Sequence, residues 1–543
     1  MADQRPKQIR YPIEKFEFSD SELVIAIVCA VGTDYGPIRD WLIKLLEKYG
    51  YTTNLIKVSD LIGKLTAIEL PKEPEIARID ASMTAGNTAC KDSKCEDIWA
   101  LAAIATINAY RNKLTGGSNE LPRTAHLIFS LKRPAEVAML RKVYGKGFFL
   151  IGLYATEKER LDYLIERNAP KNEAERIIRR DAEESEEEFG QRTTETFQLS
   201  DVFVQFKNKA YEKELARFCD LVFSHPYITP TQHEYAMFLA YAGSWRSGQL
   251  GRQVGAAITS RDGDVLAVGC NDVPKAGGGL YWPGSGDQRD HILKHDSNDQ
   301  QRDGIVDRLL ASLAKVDFQQ SVDLRNSLVS ALVGSGMNPE SSSQLVETVV
   351  KRFSEFEQEQ LVDIRPAFRK ILDITEYGRA VHGEMDAILS CARSGVSTRG
   401  TSLYVTTFPC HNCARHIIAA GIQRVYYIEP YGKSKAELLH ADAIVVEEKA
   451  MKRPRRHEQK VPFTHFVGVG PRRYLDLFSL SLGSGHELIR KVGGSVFDVE
   501  ALGAWPRIPL PPKSYLVREE DAIEKFDLVP SRQLELDIND ATR

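Results

Sequence analysis

The 543-residue sequence lacks any run approaching the ~20 consecutive apolar residues that a membrane-spanning helix needs. Its first stretch, MADQRPKQIRYPIEKFEF, is polar and lacks the apolar core of a signal peptide. Both features lead us to expect a cytoplasmic protein with no membrane partner. Excess charge is also scarce: 71 basic residues face 75 acidic ones, a formal net of -4. That balance gives no support to a surface built to coat nucleic acid or a lipid headgroup layer. No repeat of 20–50 residues is present, which argues against a solenoid or propeller. Cysteines number only eight, and in a reducing compartment most of them are thiols.

What is present is the composition of a folded chain, 43% hydrophobic and 27% charged, long enough for two or three domains. Leu23 to Val31 (LVIAIVCAV) is a continuous β-branched run, suited to a strand buried on both faces of a parallel sheet. The turn GTDYGP, the amphipathic stretch IRDWLIKLLEKYG and the strand-like TTNLIKV complete a βαβ unit. Alternation then continues through AHLIFS, RPAEVAMLRKVY, GFFLIGLYA and TEKERLDYLIERN to DVFVQF. The pattern predicts a doubly wound α/β domain over residues 20–220, preceded by a tail at 1–19.

A second α/β pattern covers 221–480. EYAMFLAYAGSW reads as a helix, and QVGAAITSRDGDVLAVGC as a hairpin turning at Asp262-Gly263. A loop rich in glycine and proline follows (VPKAGGGLYWPGSG). Residues from about 288 to 375 are polar and helix-forming, and read as a helical insertion. Alternation resumes with a helix at 382–394, the strand TSLYVTT, a helix at 410–420 and the strand RVYYI. Residues 481–543 form a C-terminal extension. From PRIPLPPKSY onward it is proline-rich and then acidic, and is expected to be a flexible or draped tail.

Chemistry concentrates in two short stretches. PCHNCARH places Cys410 and Cys413 three apart, on one face of the first turn of a helix. Twenty-eight residues before Cys410, HGEMDAILS opens with His382. Helix N-termini favour thiolate over thiol. One histidine and two thiolates are three zinc ligands, one short of a closed structural site, so a fourth position stays open for water. Zinc lowers the pKa of such a water to about 7. Glu384 lies two residues beyond His382, projects away from the ligand direction and can carry a proton from the water to a leaving amine. H-x-E followed by P-C-x-x-C is the signature of zinc nucleobase deaminases. Two other readings stand beside it. One is a redox or disulfide pair at Cys410 and Cys413. The other is a zinc knuckle closed by His411 or His416.

These residues, with SWRSGQLGRQVGAAI, VGCNDVPKAGG, LYVTTFPCHNCARHIIAAGIQRVYYIEPY and KSKAELLHADAI, resemble the deoxycytidylate deaminase family over about residues 232–470. The resemblance implies a cytidine-deaminase-like α/β/α domain. In it His382, Cys410 and Cys413 bind Zn2+, Glu384 shuttles protons, Asn271 contacts the sugar and Gly383 offers its N–H to the base. The N-terminal domain resembles a P-loop nucleotide kinase, with a degenerate phosphate loop. A working loop reads GxxxxGK[ST]; here Gly32 and Gly36 are four apart, and Pro37 and Ile38 follow. Nucleotide sensing or scaffolding suits such a loop better than phosphoryl transfer.

A kinase-like domain fused to this type of deaminase resembles the bacterial antiphage deoxycytidylate deaminases. The resemblance implies deamination of dCTP or dCMP, restraint by a nucleotide effector or an inhibitory small RNA, and a homo-oligomer. The rival readings are a deaminase of RNA or single-stranded DNA, and a nucleotide-sensing regulator without activity. Further candidates are a second zinc at Cys270, His291 and His295, and a metal pair at Cys90 and Cys95. Others are a basic run at 452–456 able to meet RNA or phosphate, and a solvent-exposed acidic run at 181–188.

Overall fold

The computed structural model describes residues 20–313, 377–446, 460–481 and 504–527, apart from 67, 69, 72, 117–119, 184–189, 207–208 and 432–433, together with short stretches elsewhere. The tail at 1–19, the basic run at 452–456, most of the acidic run and most of the insertion beyond Leu313 lie outside the described residues.

β1 (Leu23–Cys29) is buried along its whole length. Val24, Ala26 and Val28 enter one apolar cluster, and Leu23, Ile25, Ile27 and Cys29 enter another. The two-residue period of a strand thus divides one apolar run between two faces, each covered by helices. β2 (Thr52–Lys57), β3 (Thr124–Phe129), β4 (Phe148–Tyr154) and β5 (Val202–Gln205) join it in the order β5-β4-β1-β3-β2. Every pair among them is parallel, for example Ile25 beside Leu127 and Ala26 beside Leu150. From β1 the chain moves to one side for β2 and β3, then to the other for β4. The strand order therefore switches at β1.

The second sheet runs β7-β6-β8-β9-β11-β10. Its strands are β6 (Gly255–Thr259), β7 (Val265–Cys270), β8 (Ser402–Thr407), β9 (Arg424–Glu429), β10 (Ile444–Val446) and β11 (Val461–His465). β6 meets β8 antiparallel, and β8, β9, β11 and β10 are mutually parallel. The hairpin turn falls where the Asp262-Gly263 pair predicts it, with Gly263 at φ +97°.

Two connections tie distant sequence to the first sheet. β12 (Gly468–Val469) adds to it as a sixth, antiparallel strand beside β5. A helix at Pro512–Asp527 lies on the helix at Ile98–Thr115. There the buried Arg111 pairs with Glu22 at 2.8 Å and Glu519 at 2.6 Å. Of the flexible or draped tail expected from PRIPLPPKSY onward, Pro512–Asp527 is thus a packed helix, and residues 528–543 lie outside the described residues. Tyr515, Ala522 and Phe526 recur on one helical face and join the first sheet's core.

The chain divides into two compact units. One holds Met1–Trp245, Val254–Gly269 and Ala387–Arg543, and so contains both sheets. The other holds Arg246–Gln253 and Cys270–Asp386. Within the second, Asp272 and Val381 form an antiparallel bridge, and Arg289 pairs with Asp287 at 2.6 Å. The helix Ser297–Leu313 is the described part of the insertion. Among the described residues no helix is long and apolar enough to cross a membrane.

Candidate active site

His382 follows Val381, whose backbone is held at both N–H and C=O by Asp272 at 3.0 and 3.2 Å. Its own carbonyl accepts the Asp386 N–H at 2.9 Å and so begins the helix Gly383–Arg393. Glu384, 3% exposed, and Asp386 occupy the first turn. Carboxylates there answer the unpaired N–H groups of a helix start. Asp386 also reaches the end of β7, where its Oδ2 accepts the Cys270 N–H at 3.3 Å.

The two cysteines occupy the start of another helix, His411–Ala419. Cys410 is the residue before it, in extended conformation, and its sulfur accepts the Cys413 N–H at 3.5 Å. Sulfur thus takes the role an oxygen usually plays at this position. Cys413 is fully buried. The ligand atoms of His382, Cys410 and Cys413 lie within 4.8 Å of one another. Among the described residues no other group of three or more metal-binding side chains gathers this way. All eight cysteines are free thiols, so the disulfide reading of Cys410 and Cys413 falls. His411 and His416 stay outside the group; His416 Nδ1 bonds the Asn412 carbonyl at 2.7 Å.

Asn271 donates from Nδ2 to the Arg252 carbonyl at 2.7 Å, and the Ser247 hydroxyl donates to its backbone oxygen at 2.6 Å. Gly383 is buried as the first residue of its helix. The structure does not bring Cys270, His291 and His295 together. Cys270 Sγ meets Arg246 at 3.6 Å, His291 Nδ1 meets the Gly248 carbonyl at 3.2 Å, and His295 Nδ1 meets the Leu293 carbonyl at 3.1 Å. Burial pushes the Cys270 thiol up, against the pull of Arg246. Cys90 and Cys95 lie in the first sheet's core, and burial raises their thiols to about 11 and about 12. Among the described residues they belong to no group of three or more metal-binding side chains.

At the other predicted site, Gly32 turns at φ +83°, and Gly36 begins the helix Gly36–Lys48. The Val31 N–H donates to Asp181 Oδ2 at 2.9 Å, and the Gly36 N–H to Asp34 Oδ1 at 3.1 Å. Lys132 reaches the Cys29 carbonyl at 2.9 Å and Asp181 Oδ1 at 3.1 Å. The chain's own carboxylates thus take two N–H groups of this loop.

Sequence reading missed Arg246, whose guanidinium lies 3.9 Å over the Trp282 ring, and Asp272, which accepts the Gly248 N–H at 3.1 Å. It also missed the Asp386 contact. Lone charged residues in loops carry no periodic signal, and only their partners reveal them.

The sequence model of the family "Cytidine and deoxycytidylate deaminase zinc-binding region" matches residues 230–429. That segment is similar to zinc-binding regions of this type. It includes both the His382 helix and the cysteine helix, and the three-residue group fits the metal. The chain is 53% identical over 53 residues to ComE operon protein 2 of Bacillus subtilis (strain 168), covering 10% of this chain and 28% of the relative. It is 46% identical over 55 residues to the deoxycytidylate deaminase of Enterobacteria phage T2, covering 10% and 29%. It is 36% identical over 108 residues to a probable deoxycytidylate deaminase of Drosophila melanogaster, covering 19% and 51%. The matched stretches thus span from about a quarter to half of these relatives' own lengths.

Proposed function

We propose that the protein is a zinc-dependent hydrolase that converts deoxycytidine nucleotides, dCTP or dCMP, to the deoxyuridine forms. The observation that carries this reading is the convergence of His382, Cys410 and Cys413 within 4.8 Å, with buried Glu384 in the turn that begins at His382. The zinc, when bound, supplies the Lewis acidity that lets water act as a nucleophile near neutral pH.

The remaining roles belong to the chain. His382, Cys410 and Cys413 hold the metal. Glu384 takes a proton from the attacking water and delivers it to the amine that leaves the ring. Its burial keeps the carboxylate out of bulk water and close to the reacting atoms. The Gly383 N–H meets the base, and Asn271, oriented through its bond to the Arg252 carbonyl, meets the sugar. The near-neutral overall charge supports a free nucleotide over a polynucleotide substrate.

The role we attach to this activity is depletion of the dC nucleotide pool in antiphage defence, and it rests on the resemblance of the two-part chain alone. Residues 20–220 then act as a regulatory module answering an effector, a nucleotide or a small RNA. Assembly with further copies is part of the same reading; the terminal strand β7 leaves Val265 and Val268 exposed.

The test follows ammonia release from dCMP, dCTP and a cytosine oligonucleotide, for the wild type and Glu384→Gln. Release from a nucleotide that ceases in the variant is expected. Release only from the oligonucleotide, or none from any of the three, overturns the reading.

A further inference from the structure

Asn271 and His382 stand on neighbouring pieces of irregular chain. One isolated backbone bridge, between Asp272 and Val381, joins them. The net worth of a backbone hydrogen bond is modest, so two of them do not fix the spacing of the two residues on their own. Buried charge adds the rest.

Asp272 is 1% exposed. Its Oδ1 accepts the Val273 N–H at 2.8 Å, and its Oδ2 accepts the Gly248 N–H at 3.1 Å. Arg289, 6% exposed, donates to the same Oδ2 from Nη1 at 3.5 Å. From Nε and Nη2 it grips Asp287, at 2.9 and 2.6 Å. A guanidinium is a rigid, planar fork, so it holds two carboxylates at a set angle, which a lysine ammonium does not reproduce. It also offsets negative charge that burial alone would penalise.

The same contacts lead to Asn271. Gly248 follows Ser247, whose hydroxyl donates to the Asn271 backbone oxygen at 2.6 Å. Gln253 Nε2 in turn donates to the Ser247 carbonyl at 2.9 Å, and the Arg252 carbonyl takes the Asn271 side chain. This loop lies so close to the arginine that a Cβ on Gly248 would stand 2.7 Å from Arg289 Nη1.

We propose that Asp272 and Arg289 are positioning residues for deamination. They act through Asn271, holding it at a fixed spacing from His382 and Glu384, so that one nucleotide meets the sugar contact and the proton carrier together. The inference rests on the proposed function.

The experiment measures KM and kcat for dCMP and dCTP with full-length, zinc-loaded protein, and calorimetric binding of the same nucleotides to the slow Glu384→Gln form. Arg289→Lys keeps the charge and loses the fork; Gly248→Ala keeps the arginine and displaces it. Each should raise KM by about tenfold or more, with kcat within about threefold of wild type, because a sugar contact is made equally in ground state and transition state. Zinc content should not change, and binding to the Glu384→Gln form should weaken in parallel. Asn271→Ala should behave alike, and adding Arg289→Lys to it should change little further, since both act through one contact. Additive losses overturn the proposal. So do zinc content and kcat that fall together while KM holds, the mark of a merely structural role. A wild type that turns over neither nucleotide overturns the proposed function and this inference with it; turnover with KM unchanged in every variant overturns this inference alone.

Discussion

The loop after β1 and the cysteine loop after β8 share one construction. Each leaves the carboxyl end of a parallel strand and turns into a helix whose first N–H groups need partners. In the first, aspartates from the same chain supply them, with Asp181 at Val31 and Asp34 at Gly36. In the second, the partner at the helix start is the Cys410 sulfur, which also belongs to the three-residue metal group. One junction is thus closed by its own anions, and the other uses its electropositive end to favour a ligand atom. The lesson is that a helix N-terminus is a resource, and its function depends on what already occupies it.

The most severe way to break the comparison is to remove a ligand. His382→Ala or Cys410→Ser should abolish bound zinc, measured by metal analysis, and reduce turnover by at least ~1,000-fold, since an incomplete site loses both metal and the folding free energy it contributes. Full zinc in either variant would exclude that residue from the ligand set. Glu384→Gln should retain the metal and lower turnover by roughly 100- to 10,000-fold, the range for a positioned proton carrier. Near-normal turnover would end its assigned role.

Asp181 tests the other junction. Burial pushes its carboxyl up, but Lys132, the Val31 N–H and the Thr193 hydroxyl outweigh this and hold it below the usual aspartate range. A carboxyl depressed in the folded state contributes stability above its ordinary pKa and loses that contribution as pH falls through the depressed value. Asp181→Asn should therefore cost about 3 kcal/mol at neutral pH, by analogy with breaking a buried pair. Denaturant titration should show the gap to wild type narrowing below about pH 4. Zinc content should be unchanged. A pH-independent gap would mean that the charge at Asp181 is not what closes the loop.

The smallest expected effect is at Gly32. A Cβ there would lie 2.8 Å from the Arg160 carbonyl oxygen, on a backbone at φ +83°. Gly32→Ala should cost about 1–2 kcal/mol, visible as a lowered melting temperature with dCMP turnover per folded molecule preserved. An unchanged melting temperature would show that the turn tolerates a side chain.

Much of this could be read from the sequence. LVIAIVCAV and the helices around it announce a parallel sheet because a strand buried on both faces must be apolar throughout. H-x-E and P-C-x-x-C announce their chemistry because few other uses need those residue types at two helix starts. Asp181 was hidden. It lies at the edge of an acidic run, which in sequence looks like solvated surface, and only the fold carries it 150 residues back to Val31. The helix at Pro512–Asp527 was hidden for a similar reason: its prolines and acids suggest a tail, and Glu519 acquires meaning only beside Arg111.

That last contact bears on how the protein is made. Arg111 emerges from the ribosome some 400 residues before Glu519, and Glu22 and Arg111 must share a dry pocket whose wall includes Tyr515. Until residue 527 has been synthesised, the nascent first sheet exposes this apolar and charged surface. Translation that stops short leaves an incomplete core. The first sheet is encoded first, yet Tyr515, Ala522 and Phe526 of its core are encoded almost 500 residues after β1.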